Sequence, residues 1–300
     1  AMGNIISESY KLMQSVKPDA LLVLGDTNSC LSVISAKRLK IPVFHMEAGN
    51  RCFDENLPEE INRRIVDTAS DVNFCYSEHA RRYLADMGCD PARTFCIGSP
   101  MGEVLDAHAE KIEKSDVLDR MGLNSKEYIL LSAHREENID NEKNFYEMVN
   151  AINALAEEYQ VPILYSMHPR SRKIIEQRGT KFHNLVRPNK PFGFSDYICL
   201  QKHALCGVSD SGTLAEESAL LGFPAVSLRT STERPEVVDA GIFTLGMLDS
   251  SKLVQAVSIE ILLEGRRNRV LDYRDYLCSD KVVKIIQGYT EYVNRRVWRK

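Results

Sequence analysis

The chain has 300 residues, a net charge of -4, 44% hydrophobic and 27% charged residues. That length suits one large domain or two of ordinary size, and the composition is that of a globular protein. It carries no basic footprint for nucleic acid, no apolar run as long as a membrane span and no signal peptide ahead of its first helix.

Helices and strands alternate from the start. Helices are predicted at about 3–16, 28–39, 59–69 and 78–87, with strands at Ala20–Leu24, Pro42–His45, Val72–Cys75 and Arg93–Ile97. A helical stretch rich in Lys and Asp, Val104 to Arg120, reads as a junction. Strands then follow at Tyr128–Ser132, Ile163–Met167, Asn184–Val186, Leu205–Val208, Pro224–Leu228 and Phe243–Leu245. This alternation predicts an α/β protein of two doubly wound, Rossmann-like domains with the active site in the cleft. The expected domains are 1–118 and 119–278. Residues 279–300 form a closing helix, with Val282, Ile286, Tyr289 and Val293 at helical spacing, which crosses back to the first domain. The helix at 3–16 stands where an opening strand and phosphate loop normally begin such a domain. The first domain is therefore expected to be N-terminally incomplete by at least one βαβ unit, about 30 residues. The eight cysteines show no CxxC pairing and lie mostly in apolar segments, as buried free thiols of a cytoplasmic protein do.

Candidate functional residues collect at strand ends, where ligands of open α/β sheets sit. Asp26 follows the first strand in Gly25-Asp-Thr27, and Glu47 follows the second in His45-Met-Glu-Ala-Gly-Asn-Arg51. Glu59 and Glu60 open the next helix behind Pro58, where acidic residues also serve as companions of the helix dipole. Asp26 has an equally ordinary alternative as a helix cap. Gathered carboxylates push one another's pKa values apart, so one site can hold both an acid and a base.

In the second half, His134 and His168 end the first two strands and suit phosphate binding or proton transfer. His134 gains weight from its neighbour Arg135 and from an expected position facing the Asp26/Glu47 side of the cleft. Ser209-Asp-Ser-Gly-Thr-Leu-Ala-Glu-Glu-Ser218 reads as a strand breaking at Ser211-Gly212 into a helix, a turn that aims backbone N–H groups at phosphate. Arg229, Glu233 and Arg234 follow another strand, and Arg gives forked recognition of phosphate. The pieces suggest a diphosphate pocket with polar groups for a sugar. No His/Cys set has metal-ligand spacing.

At these motifs the sequence resembles the non-hydrolysing UDP-N-acetylglucosamine 2-epimerases. The matching pieces are Gly25-Asp-Thr27, His45-Met-Glu-Ala-Gly49 with Arg51, Pro58-Glu-Glu-x-Asn-Arg63, His134-Arg-x-Glu-Asn138, His168-Pro169, Ser209-Asp-Ser-Gly-x-x-x-Glu-Glu217 and Thr232-Glu-Arg-Pro-Glu236. The resemblance implies a glycosyltransferase-B-like architecture, a homodimer, and inversion at C2 of a UDP-2-acetamido sugar without added cofactor. It matches Asp26, Glu47 and Glu59 to carboxylates of proton transfer and leaving-group departure, and His134 to an essential histidine. Ser211, Gly212, Glu217 and Arg234 match uridine diphosphate and ribose contacts, while Arg63 and His168 match positions near the nucleotide or its regulatory site. The family's opening Gly-x-Arg-Pro-Glu loop is absent here. The loop Arg51 to Pro58 and the tail from Tyr289 look more like the branch that forms UDP-N-acetyl-L-fucosamine from a 6-deoxy sugar. A hydrolysing relative, a glycosyltransferase of shared architecture and an inactive nucleotide-sugar-binding remnant are the competing readings.

Overall fold

The computed structural model describes residues 2–266, 268–274 and 277–300. The chain divides into two compact units, Ala1–Glu103 with Leu271–Lys300, and Val104–Val270. Each is a parallel sheet flanked by helices, an α/β architecture.

In the first unit the strands are β1 (Leu21–Leu24), β2 (Val43–Met46), β3 (Val72–Cys75) and β4 (Thr94–Cys96), paired in the order β1-β2-β3-β4. All are parallel. β3 is buried along its whole length, as a central parallel strand covered on both faces should be. β1 lies at an edge, and Leu22 and Leu24 on it stay exposed. One apolar cluster joins Val23, Val43 and Val66 to Met13, Val33 and Ala36 of the first two helices. The closing helix, Cys278–Arg296, belongs to this unit. It donates a Cys278 Sγ hydrogen bond to the Ile97 carbonyl and sets Tyr289 edge-on to Phe95, 4.9 Å between ring centres.

In the second unit β5 (Ile129–Ser132), β6 (Ile163–Ser166), β7 (Val186–Asn189), β8 (Cys206–Ser209), β9 (Ala225–Ser227) and β10 (Thr244–Leu245) pair in the order β10-β9-β8-β5-β6-β7. The chain builds outward from β5 to β7, then returns to the far side of β5 and continues to β10. The direction of winding thus reverses between β5 and β8, the place where doubly wound sheets open a crevice beyond their carboxyl ends. The core under this sheet packs Tyr165, Ile163 and Val208 against Phe145, Met148 and Ile152 of the Glu142–Tyr159 helix and Leu253 and Val257 of the Ser250–Leu262 helix.

Two local expectations shift. The helical stretch expected at Val104 to Arg120 consists of two helices, Met101–Glu113 and Val117–Met121, and the division between the compact units falls inside the first of them. The strand expected at 184–186 sits later, at Val186–Asn189, and contains Pro188. Proline cannot donate to a ladder, which argues against a central strand; β7 is an edge strand, where the missing N–H costs nothing.

Candidate active site

Within the first unit, the carboxyl ends of β1 and β2 carry the acidic residues, and one helix organises them. The helix Pro58–Ala69 starts with Pro at its first turn and Glu59 and Glu60 behind it. Asn62 Nδ2 donates to the Asp26 carbonyl at 2.9 Å, and Arg63 Nε donates to Asp26 Oδ2 at 2.7 Å. Arg63 also reaches Glu60 at 3.1 Å, so its guanidinium bridges two carboxylates. Glu60 itself is fully buried and accepts from the Cys52 backbone N–H. Of the adjacent glutamates, Glu59 is the exposed one, and Glu60 anchors the loop.

Asp26 is half-buried, and burial raises its pKa above the ordinary carboxylate value. Arg63 opposes that shift, whereas the negative charges of Glu47 and Glu59 add to it. A carboxyl held between a guanidinium and two like charges is suited to take up and release a proton. Glu47 sits at φ +68, in the left-handed region that a side chain with a Cβ rarely adopts. Its Oε1 accepts from Asn50 Nδ2 at 3.1 Å, and a Cβ on Gly25 would stand 3.0 Å from its Oε2. The structure thus brings Asp26, Glu47, Glu59 and Arg63 together.

The second unit builds its site at the reversal point. His134 follows β5, and Asp210, Ser211 and Gly212 follow β8. Asp210 is fully buried; its Oδ2 accepts the backbone N–H groups of His134 and Arg135, each at 2.9 Å, and Asn138 Nδ2 at 3.2 Å. Its Oδ1 makes no hydrogen bond among the described residues and lies 3.4 Å from His134 Nδ1. The His134 ring remains exposed, 6.2 Å from the exposed His168 ring. Ser211 and Gly212 form the turn into the helix Thr213–Leu221, with Ser211 Oγ 3.0 Å from Thr213 Oγ1.

The arginines that the sequence offers to phosphate carry carboxylate partners as well. Arg229 makes a forked pair with Glu233 at 2.5 and 2.7 Å, and Arg234 Nε donates to Glu216 Oε1 at 2.6 Å. All four side chains are buried. Glu217 is buried, which raises its pKa; it accepts from Gln201 Nε2 at 2.6 Å, on the neighbouring helix Phe194–His203, and from the side chain of Thr213, next to the Ser211–Gly212 turn.

The model of the UDP-N-acetylglucosamine 2-epimerase family matches residues 1–287. The chain belongs to that family. Among solved family structures, UDP-N-acetylglucosamine 2-epimerase from Rickettsia bellii is 42% identical, with a TM-score of 0.91 over 100% of this chain and 81% of that one. The Methanocaldococcus jannaschii UDP-N-acetylglucosamine 2-epimerase is 33% identical across 95% of this chain and 79% of its own length. A structure of UDP-GlcNAc 2-epimerase from that organism in complex with UDP-GlcNAc and UDP has a TM-score of 0.88 at 31% identity, covering 96% of this chain and 80% of that one. The chain is also similar to a relative named for another sugar, the UDP-2,3-diacetamido-2,3-dideoxy-D-glucuronate 2-epimerase of Pseudomonas aeruginosa, 33% identical over 80% of this chain and 66% of that protein.

Against that family frame, Glu60, Asn62 and Asp210 lie inside motifs that the sequence offered, without a role read for them there. Asp67 stands outside every such motif: it sits in the last turn of an amphipathic helix, and only its complete burial marks it.

Proposed function

We propose that this chain inverts C2 of a UDP-2-acetamido sugar, with UDP-GlcNAc as substrate and UDP-ManNAc as product. A base removes the C2 proton as the C1–O bond to UDP breaks on the opposite face. The resulting glycal accepts a proton from the other side, and UDP returns to C1. The C2 proton is weakly acidic, so this elimination needs a positioned base and a stabilised diphosphate.

The observation that carries the reading is the Asp26–Glu47–Arg63 cluster, in which crowding and burial lift the pKa of one carboxyl while a guanidinium holds it in place. Asp26, Glu47 and Glu59 are assigned the proton transfers. His134, exposed beside the Ser211–Gly212 turn, is assigned the charge developing on the diphosphate. Ser211, Gly212 and Arg234 are assigned the uridine diphosphate, Glu217 the ribose, and Arg63 and His168 positions near the nucleotide. Free thiols at all eight cysteines fit a reducing cytoplasm. The assembly implied by family resemblance is a homodimer, which light scattering on the purified protein tests.

Incubation with UDP-GlcNAc in deuterated water tests the reaction. Deuterium at C2 of recovered UDP-sugar, with a UDP-ManNAc fraction growing in, is the expected result. Free sugar with UDP means hydrolysis instead, and bound nucleotide-sugar without exchange means a binding protein; either outcome rejects the proposal.

A further inference from the structure

We propose that Asp67 is a positioning residue that sets the catalytic carboxylate Glu47, a role that rests on the epimerase reading above. Asp67 lies on the same helix as Asn62 and Arg63, which hold Asp26, but its side chain serves a different loop. That loop leaves β2 and carries Glu47 between His45 and Arg51.

The Asp67 carboxylate is completely buried and collects contacts from both sides of Glu47. His45 Nδ1 lies 2.8 Å from Oδ1. The Gly49 backbone N–H donates to both oxygens, at 3.3 and 3.2 Å, and Arg51 Nη2 donates to Oδ2 at 2.6 Å. The ring of His45 continues the chain of contacts, with Nε2 3.2 Å from the carbonyl oxygen of Gly25, the residue before Asp26. One carboxylate therefore fixes the residues on either side of Glu47 and, through His45, the strand end that carries Asp26.

Glu47 needs such a clamp. Its φ of +68 is unfavourable for a residue with a Cβ, and a strained backbone persists only where its surroundings over-determine it. Gly49 closes the other side: its φ is +81, and an added Cβ would meet the Ala80 carbonyl at 2.4 Å, so the loop has no room to relax in that direction. A carboxylate accepts at every one of these contacts; an amide keeps a single oxygen and turns its donor either toward His45 Nδ1 or toward the N–H groups of Gly49 and Arg51.

Asp71, just ahead of β3, supplies a control. It is equally buried, accepts from the Val43 backbone N–H at 2.9 Å and pairs with Lys37 at 2.5 Å, at the opposite end of β2 from Glu47. Asp67→Asn and Asp71→Asn both break a buried carboxylate network in the first unit; only the first touches the Glu47 loop.

The test combines kinetics with crystal structures of the parent chain and both variants. In Asp67→Asn, kcat on UDP-GlcNAc is expected to fall about a hundredfold, the scale of a displacement of about 1 Å in a reacting group. KM and UDP affinity are expected to stay within about threefold of the parent, since the residues assigned to the uridine diphosphate and ribose, Ser211, Gly212, Glu217 and Arg234, lie in the other unit. The variant structure is expected to show Glu47 released from its left-handed backbone conformation. A fall in kcat no larger than in Asp71→Asn overturns the proposal, and so does a Glu47 that keeps its parental conformation, whatever the activity. If Asp67→Asn does not fold, Arg51→Lys removes the shortest donor to the same carboxylate and is read against the same two criteria. A parent chain without turnover sinks the epimerase reading alone, because the conformation of Glu47 still decides the positioning role.

Discussion

The two units use the same device for different ends. In each, a fully buried aspartate accepts backbone N–H groups from a loop that carries a candidate catalytic side chain: Asp67 for Glu47, Asp210 for His134. In the first unit the aspartate comes from a helix and reaches a loop at the end of a strand in a sheet wound in one direction. The loop is strained, and its carboxylates crowd one another, so charge is raised in energy where protons are to move. In the second unit the aspartate follows β8 at the reversal of winding, and the buried charges around it are neutralised in pairs, Arg229 with Glu233 and Arg234 with Glu216. On the proposed assignment, crowded like charge serves proton transfer and paired charge gives a rigid platform for an anionic ligand.

The largest effect should come from breaking the crowded side. Asp26→Asn or Glu47→Gln is expected to lower kcat by about a thousandfold, within the range of acid–base contributions, with UDP affinity nearly unchanged by calorimetry. Normal turnover in either variant removes that carboxylate from the proton path. His134→Ala should cost about a hundredfold in kcat, roughly 2.7 kcal/mol of transition-state stabilisation. An unchanged rate would reduce His134 to a surface histidine.

On the paired side the readout changes from rate to binding. Arg234→Ala should weaken UDP about tenfold, and because it removes a buried guanidinium paired with Glu216 it should also lower thermal stability. A variant as stable as the parent would mean that this buried pair contributes nothing to the fold. The smallest effect is a matter of pH. Burial and the charges of Glu47 and Glu59 raise the Asp26 pKa, so the folded state favours the protonated form. The associated stabilisation is present below the ordinary carboxylate pKa and is lost as pH rises through the raised one. Asp26→Asn should therefore gain in Tm relative to the parent between pH 4 and pH 7. A difference in Tm that is flat across that range would show that Arg63 cancels the burial.

The strand and helix pattern was legible along nearly the whole chain because short apolar runs alternate with amphipathic segments. Asp26, Glu47 and His134 were legible too, since each directly follows a run that reads as a strand. β7 was displaced because Pro188 masks a strand that tolerates it only at an edge. Arg229 reads in the sequence as one of a cluster with Glu233 and Arg234 offering forked recognition to phosphate, and the fold shows its fork turned to Glu233.

By itself, then, the sequence determined which side chains stand at strand ends, because that depends on local period and turn chemistry within a few residues. The tertiary structure decided which of them share a carboxylate. The contacts of Asp67 with His45 and of Asp210 with His134 join residues far apart in the chain, and their strength comes from burial that no local pattern records. Assigning Glu60 rather than Glu59 as the anchor rested on the same thing, the side of one helix that faces the core.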